Sequence, residues 1–236
     1  MPNLACRSRS LEWLDTATPP LAERAAYLSS LARLNGAMLG HRPVLNWLGN
    51  AMHGLSRDEP FTLLDVGCGY GDLLRAARRW ANRRGLALKL IGIDIQADTI
   101  AIAREATPMG DQIDYLVADV FNLRPSVRID AVVSSLVAHH LEDRKIAALV
   151  RWMEATARRG WMIADLERHS VPYHAIAIAG RLMGIHPKVI EDGRISVTRA
   201  LRRPEWRPIV EAAGIAPDAV RLDWFLYRLA VSRLKA

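Results

Sequence analysis

The sequence predicts an α/β protein built on a doubly wound, mainly parallel sheet of seven strands. Two observations carry this prediction. Across residues 61–165, short apolar runs with strand character alternate with longer segments of helical periodicity, which is the pattern of repeated βαβ units. After the first apolar run the chain enters a glycine-rich turn, residues 67–71, and a helical segment follows. A strand, a glycine turn and a helix in this order are typical of nucleotide-binding α/β domains.

The front of the chain is predicted to be helical. Apolar residues recur at helical spacing from Leu21 to Leu34 after the pair Pro19-Pro20, and residues 43–55 form a second helical segment. We predict residues 1–58 to be an N-terminal helical cap over a ligand cleft, and residues 59–236 to be the main domain.

The main domain is predicted to alternate strands and helices in regular order. Strands are expected at residues 61–66, 88–93, 113–117, 129–135 and 160–165, and helices at 71–84, 97–106 and 142–158. Because parallel strands need crossover connections, these helices should cover both faces of the sheet.

The chain changes character after Asp165. Residues 170–185 are predicted to be an apolar helix, 187–199 an irregular loop or hairpin, and 204–213 another helix. We expect residues 166–200 to form a lid inserted after the fifth strand. Two β-rich pieces, 219–225 and 227–234, predict a closing hairpin that adds an antiparallel strand to the sheet.

Composition excludes several classes of protein. Half of the 236 residues are hydrophobic, which excludes global disorder. The net charge of +7 permits a nucleic-acid partner, but the arginines are scattered through helical segments, so we do not favour one. The two cysteines, Cys6 and Cys68, indicate neither a metal site nor a disulfide framework. We find no signal peptide or membrane span and expect a soluble cytoplasmic protein.

The spacing of the glycines distinguishes between the classes of nucleotide ligand that such a turn can bind. A dinucleotide turn reads G-x-G-x-x-G and would need glycine at position 72, where this chain has Asp72. The observed order, Asp65 followed by Gly67, Gly69 and Gly71, resembles motif I of the class I S-adenosylmethionine (SAM) methyltransferases. This resemblance implies a Rossmann-like methyltransferase fold in which the turn binds SAM, with Cys68 contributing its backbone.

An acidic residue also stands at the end of each of the next two strands. Asp94-Ile95 follows the second strand, where a carboxylate can accept hydrogen bonds from both ribose hydroxyls. Asp119-Val120 follows the third strand. The family resemblance implies that this acid binds the adenine amine and that the next backbone amide contacts the ring. Ser135, at the end of the fourth strand, is predicted to line the space around the sulfonium.

Histidines are the candidates for a catalytic base, because their pKa lies near neutrality. The segment 136–143 resembles the His-His-Leu segment of small-molecule methyltransferases. We predict His140 as the base, His139 as a residue lining the cleft, and His174 as the second choice for the base. A purely structural hydrogen bond is the alternative for either member of the pair. His169 and His186 are further candidates, and we predict no metal.

The resemblance therefore implies a SAM-dependent methyltransferase of a small hydrophobic acceptor, phenolic or polyketide-derived. The layout also resembles that of bacterial polyketide- and quinone-modifying methyltransferases. O-methylation is favoured and C-methylation is a close variant. The alternatives are an RNA-modifying methyltransferase and a non-catalytic SAM-binding partner subunit. Residues 134–137 read Ser-Ser-Leu-Val, unlike the Asn/Asp-Pro-Pro-Tyr motif of nucleobase methyltransferases. The sequence leaves the oligomeric state open.

Overall fold

The computed structural model describes residues 3–56 and 59–235. Arg57 and Asp58, which end the predicted cap, lie outside the described residues. Within these ranges the chain forms nine α-helices and seven strands. In order they are α1 (Trp13–Thr16), α2 (Leu21–Ala37), α3 (Arg42–Ala51), β1 (Phe61–Val66), α4 (Asp72–Asn82), β2 (Leu88–Asp94), α5 (Ala97–Glu105), β3 (Ile113–Val117), β4 (Ala131–Ser135), α6 (Asp143–Thr156), β5 (Gly160–Leu166), α7 (Ser170–Leu182), α8 (Pro187–Arg199), α9 (Arg203–Ala212), β6 (Arg221–Phe225) and β7 (Arg228–Leu234).

The seven strands form one sheet in the order β3-β2-β1-β4-β5-β7-β6. The first five are parallel, and β7 pairs antiparallel with both β5 and β6. The predicted doubly wound sheet and its closing antiparallel hairpin are confirmed. The strand order reverses between β1 and β4, and ligands of open α/β sheets bind outside the carboxyl ends of the strands at such a reversal.

The central strands are buried because helices cover both faces of the sheet. All residues of β1 and β5 are buried, as expected for apolar strands in a parallel sheet. On one face, α6 and α9 contribute Leu149 and Trp206 to a core with Val132. On the other face, α3 and α4 bury Leu48 and Leu74.

The front helices have two different environments. Helix α3 packs directly on the sheet, since Trp47 and Leu48 share a core with Phe61 of β1. Helix α2 instead packs above the carboxyl ends of the strands, where Tyr27 and Leu28 join a third core with residues of α7 and α8. The division into a cap and a main domain at residues 58 and 59 stays a prediction.

The prediction of an irregular loop or hairpin at 187–199 is wrong, because these residues form α8. Pro187 is tolerated since it occupies the first helical turn, where its missing N–H has no partner to lose. The His186 ring caps the helix by accepting a hydrogen bond from the Lys188 amide at 3.2 Å. Gly193 is needed for close contact, because a Cβ there would lie 2.9 Å from Ile176. Pro187 therefore begins the helix, and Gly193 lets it pack closely against α7.

Candidate active site

A cleft of about 400 Å³, the main cleft, lies at the carboxyl ends of β1 to β4. The sheet side supplies Gly67, Gly69, Asp94, Asp119 and His140, while α1 and α2 supply the opposite wall with residues such as Asp15 and Leu28. A side pocket adjoins it and is lined by Asp65, Cys68, Ser135 and Arg228, and it shares Gly67 and Gly69 with the main cleft. The predicted glycine turn thus stands at the junction of two spaces.

The three glycines of the turn have different roles. A Cβ on Gly67 would lie 2.5 Å from Val137, and a Cβ on Gly71 would overlap the Tyr115 hydroxyl. Gly69, by contrast, has no atom within 4 Å of that position, so its backbone is open to a ligand. Gly71, predicted to bind the cofactor, lines neither space, because it packs α4 against β3.

Asp94 braces the turn from the tip of β2. Its Oδ2 accepts a hydrogen bond from the Gly69 amide at 3.1 Å, and its Oδ1 accepts one from the Gln96 amide at 3.0 Å. Burial raises the pKa of Asp94, while these backbone amides oppose the rise. Each carboxylate oxygen retains a second lone pair that can accept a hydroxyl from a ligand in the main cleft.

The far end of the main cleft combines apolar and polar surface. Ile95 and Phe121 are exposed and line the cleft together with Val120. Asp119 accepts hydrogen bonds from the Phe121 amide and from the Asn122 side chain, both at 3.0 Å. This Asp119 turn presents a flat apolar surface with polar groups at its edge, which suits a planar heterocycle.

Asp65 is a buried acid of the site with one oxygen that lacks a hydrogen-bond partner among the described residues. It is 2% exposed, and within the described part of the chain its Oδ1 has no hydrogen-bond partner. Burial, together with the charges of Asp72 and Asp94, raises its pKa well above the usual range. Cys68, beside it, is buried, and burial raises the pKa of its thiol. A cationic ligand group in the side pocket would therefore meet an unsatisfied carboxylate.

His139 is fixed between two carboxylates. Its Nδ1 lies 2.7 Å from Asp165 Oδ1, and its Nε2 lies 3.4 Å from Glu12 Oε1. Burial alone would lower the pKa of His139, but the charges and hydrogen bonds of Asp165 and Glu12 outweigh it and raise the pKa to about 9. At neutral pH this imidazole therefore holds its proton.

His140 occupies a different position from its neighbour. Its Nδ1 lies 3.4 Å from Asp15 Oδ1 and its Nε2 lies 3.7 Å from Glu12 Oε2, while about a third of its side chain remains exposed. Hydrogen bonding to His140, together with Arg199, holds the pKa of Asp15 far below its usual range despite partial burial. His140 lines both the main cleft and a further space, the inner cavity.

The inner cavity is narrow, about 70 Å³, and mostly apolar. It shares Leu31, Leu136 and His140 with the main cleft. The rest of its apolar lining comes from α2, α7 and the ends of β5 and β7, namely Leu34, Met38, Leu166, Ile176 and Tyr227. Of the apolar residues of α7, Ile176 lines this cavity, whereas Ile178 and Leu182 are exposed to solvent.

The other predicted histidines lie apart from these spaces. His174 is on the exposed face of α7, where its ring contacts that of Tyr173 with 5.3 Å between centroids. His169 and His186 cap α7 and α8 with their ring nitrogens. The structure therefore brings His139 and His140 to the site, whereas His174 does not line the main cleft, the side pocket or the inner cavity.

Three important residues were not predicted from the sequence. Asp165 ends β5 and could have been found by the rule that located Asp94 and Asp119, since it too is a strand-end acid. Glu12 and Arg228 carry no local signal, because the side-chain partners described here lie 93 or more positions away in the chain. Glu12, His139 and His140 place possible ligand atoms within 4.8 Å of one another, and the ion pairs described above account for that geometry.

Comparison with known proteins agrees with this geometry. A family model described as a methyltransferase domain matches residues 63–160, the segment that holds the glycine turn and both histidines. A probable fatty acid methyltransferase of Pseudomonas putida is 29% identical over 197 residues, which is 70% of this chain and 49% of that protein. The 2-phytyl-1,4-naphtoquinone methyltransferase of Thermosynechococcus vestitus is 36% identical over 73 residues, or 31% of each. The chain thus spans half or less of the length of these curated relatives.

Solved structures show the same fold. Human N-acetylserotonin methyltransferase, solved with SAM, superposes with a TM-score of 0.64 at 15% identity, covering 92% of this chain and 57% of that one. The plantazolicin methyltransferase BpumL, solved with a substrate analog and SAH, gives 0.62 at 13% identity and covers 91% and 96%. In the described part of this chain, no helix has the length and apolarity needed to cross a bilayer. The domain match over residues 63–160, the strand order and the glycine turn together indicate a methyltransferase domain of the class I SAM-dependent type.

Proposed function

We propose that this protein transfers the methyl group of SAM to a small hydrophobic acceptor, with a phenolic oxygen favoured and an activated ring carbon as the variant. One observation carries the proposal. The main cleft, which contains the glycine turn, and the mostly apolar inner cavity meet at Glu12, Tyr27 and His140, so the two spaces share a histidine that can accept a proton.

The residues present fit SAM. The open backbone at Gly69 gives the ligand close access to the turn, and Asp94 can accept both ribose hydroxyls. The Asp119 turn with Ile95 and Val120 suits the adenine ring. The unsatisfied Asp65 carboxylate and Ser135 border the side pocket, where the amino-acid end of SAM would lie.

The chemistry asks little of the protein beyond position and proton removal. SAM supplies a methyl group already activated on a positive sulfur. The walls of the two spaces orient the acceptor atom in line with that methyl group, an effect of several kcal/mol in general. Because a phenol with a pKa of about 10 is mostly protonated at neutral pH, a base must take its proton.

His140 is the base in this proposal. It lines both spaces, and the Asp15 and Glu12 carboxylates beside it would stabilise the imidazolium formed when it accepts a proton. His139 is unsuited to that role, since its raised pKa keeps it protonated and both its nitrogens face carboxylates. We assign His139 the role of holding the segment 138–140 and Glu12 in place. His174 is the weaker alternative for the base.

The inner cavity must widen to admit a ring-sized acceptor. Glu12, which precedes the four-residue helix α1, lines this cavity. Polar contacts, including Asp15 to Arg199 at 2.6 Å, hold α1 together with the packing of Trp13 on Tyr27. Short elements held by polar contacts open at low cost. We therefore propose that α1 moves outward when the acceptor binds.

The relatives support the acceptor class. One is named for fatty acids and another for a naphthoquinone with a phytyl chain. Both names describe small apolar acceptors, which agrees with the apolar lining of the inner cavity.

Calorimetric titration with SAM and with SAH tests the cofactor site. We expect one site per chain, and Asp94→Asn should weaken binding by about 10- to 100-fold, because hydrogen bonds to a charged group are worth about 1.5–3 kcal/mol. Asp98→Asn, an exposed acid on α5, is the matched control and should bind like the wild type. Absence of binding by the folded wild type would refute the proposal, and binding without transfer to any acceptor would favour the non-catalytic partner subunit.

A further inference from the structure

We infer that Arg228, at the start of β7, binds the α-carboxylate of the methionine end of the cofactor and is a main determinant of selectivity for intact SAM and SAH. This inference rests on the proposed function. It adds a residue from the antiparallel end of the sheet, 157 positions after the glycine turn, to the cofactor site.

The Arg228 guanidinium is buried without an anionic partner. The residue is 2% exposed. Its Nη1 donates to Ser135 Oγ and its Nη2 to Asn35 Oδ1, both at 3.1 Å, and both acceptors are neutral. Among the described residues, Arg228 makes no ion pair, and its Nε has no hydrogen-bond partner. A buried cation without an anion is costly, so this side chain is suited to receive one.

The surroundings hold the guanidinium in place. A Cβ on Gly40 would lie 2.5 Å from Arg228 Nη2, so the glycine leaves room for the charged group. The Tyr227 ring lies 5.6 Å from the guanidinium carbon. Fixed donors lose little entropy when a planar carboxylate binds them.

The side pocket is lined by one basic and one acidic side chain, each of which has an atom without a hydrogen-bond partner among the described residues. Arg228 and Asp65 both line it, and Asp65 Oδ1 also lacks a partner within the described residues. The other acidic residue on the pocket, Asp72, already has a partner, because its Oδ2 lies 2.8 Å from His41 Nε2. An ammonium group beside Asp65 would favour the ionised form of its carboxyl group. A pocket of about 120 Å³ that carries the Arg228 guanidinium and this carboxyl group therefore fits a zwitterion, and the amino-acid end of SAM carries one carboxylate and one ammonium group.

The inference is tested by comparing SAH with 5′-methylthioadenosine, which keeps the adenosine and the thioether but lacks the amino-acid end. In Arg228→Met, SAH affinity should fall by about 10- to 100-fold, the range for a hydrogen bond to a charged group, while 5′-methylthioadenosine affinity should change less than about threefold. Arg228→Lys should restore part of the SAH affinity. Arg78→Met is the control, because Arg78 is partly buried, donates to the neutral carbonyls of Asp111 and Gln112, and lies off the pocket.

A ligand-side measurement covers the case in which Arg228→Met does not fold. The wild type should bind SAH at least about tenfold more tightly than an analogue with a carboxamide in place of the carboxylate. Equal affinity for the two, or an equal loss of both SAH and 5′-methylthioadenosine in a folded Arg228→Met, would overturn the inference. If the wild type binds none of these adenosine ligands, the proposed function itself fails.

Discussion

His140 and His139 show how two adjacent residues of one type acquire different roles from their partners. His139 is enclosed by Asp165 and Glu12 and keeps its proton, whereas His140 borders two cavities with part of its ring exposed. Their ring centroids are only 4.3 Å apart. The difference is set by which carboxylates the fold brings to each ring, and the sequence pattern alone does not contain it.

Replacing His140 with Gln should remove the base and leave the cofactor site intact. We expect turnover to fall by about 10²- to 10⁴-fold, the usual contribution of general base catalysis, with SAH affinity unchanged within about threefold. Steady-state assays and calorimetry measure the two effects. His53→Gln, an exposed histidine after α3, should change neither. Full activity in His140→Gln, together with loss of activity in His174→Gln, would show that His174 on α7 is the base.

The buried His139 pair should make stability depend on pH. The folded pKa of about 9 exceeds the ordinary value of 6.5 for histidine, so the stabilisation is complete below pH 6.5 and is lost as the pH rises toward 9. We expect the difference in unfolding free energy between the wild type and His139→Gln to shrink by on the order of 3 kcal/mol over that interval. Urea denaturation at pH 6, 7.5 and 9 measures it. A difference that stays constant with pH would show that folding does not shift the pKa of His139 and would contradict this account.

Helices α7 and α8 pack closely because glycine stands at their contacts. A Cβ on Gly180 would lie 2.6 Å from Ile190, and one on Gly193 would lie 2.9 Å from Ile176. The backbones can approach only where side chains are missing, and this approach places Ile176 on the inner cavity.

Gly180→Ala should therefore destabilise the protein by about 1–3 kcal/mol, the usual cost of overpacking. The double variant Gly180→Ala/Ile190→Ala should recover part of that loss, because it removes the clashing side chain. Gly36→Ala, in α2 with nothing within 4 Å of its Cβ position, should be neutral or stabilising by up to about 1 kcal/mol. Thermal unfolding compares the three. Equal effects of Gly180→Ala and Gly36→Ala would contradict the packing account.

Prediction from sequence succeeded where the signal was local. The strands around the glycine turn and the acids at Asp94 and Asp119 lie where their patterns indicate, because a strand end and its following turn are set by neighbouring residues. Helix α8 was missed because Pro187 and Gly193 serve as helix breakers in most contexts, whereas here tertiary contacts give each a place. A local pattern cannot reveal that a glycine packs against a neighbouring helix.

At the scale of the whole molecule, the site is assembled from parts that are distant in sequence. Glu12 reaches His139 across 127 positions and Arg228 reaches Asn35 across 193. Contacts of this kind depend on the finished fold, so neither Glu12 nor Arg228 could be recognised beforehand. The strand ends line the main cleft together with α1 and α2, and α2, α7 and α8 contribute most of the lining of the inner cavity.

Transfer of labelled methyl from SAM is the most direct test of the central claim. The purified chain is incubated with a panel of phenols, quinones and fatty acids and, in a separate arm, with RNA. We predict label in the organic extract with at least one phenolic or quinol acceptor, lost in both Asp94→Asn and His140→Gln. Label recovered only in RNA, or in no acceptor while SAH still binds, would contradict the assignment as a small-molecule methyltransferase.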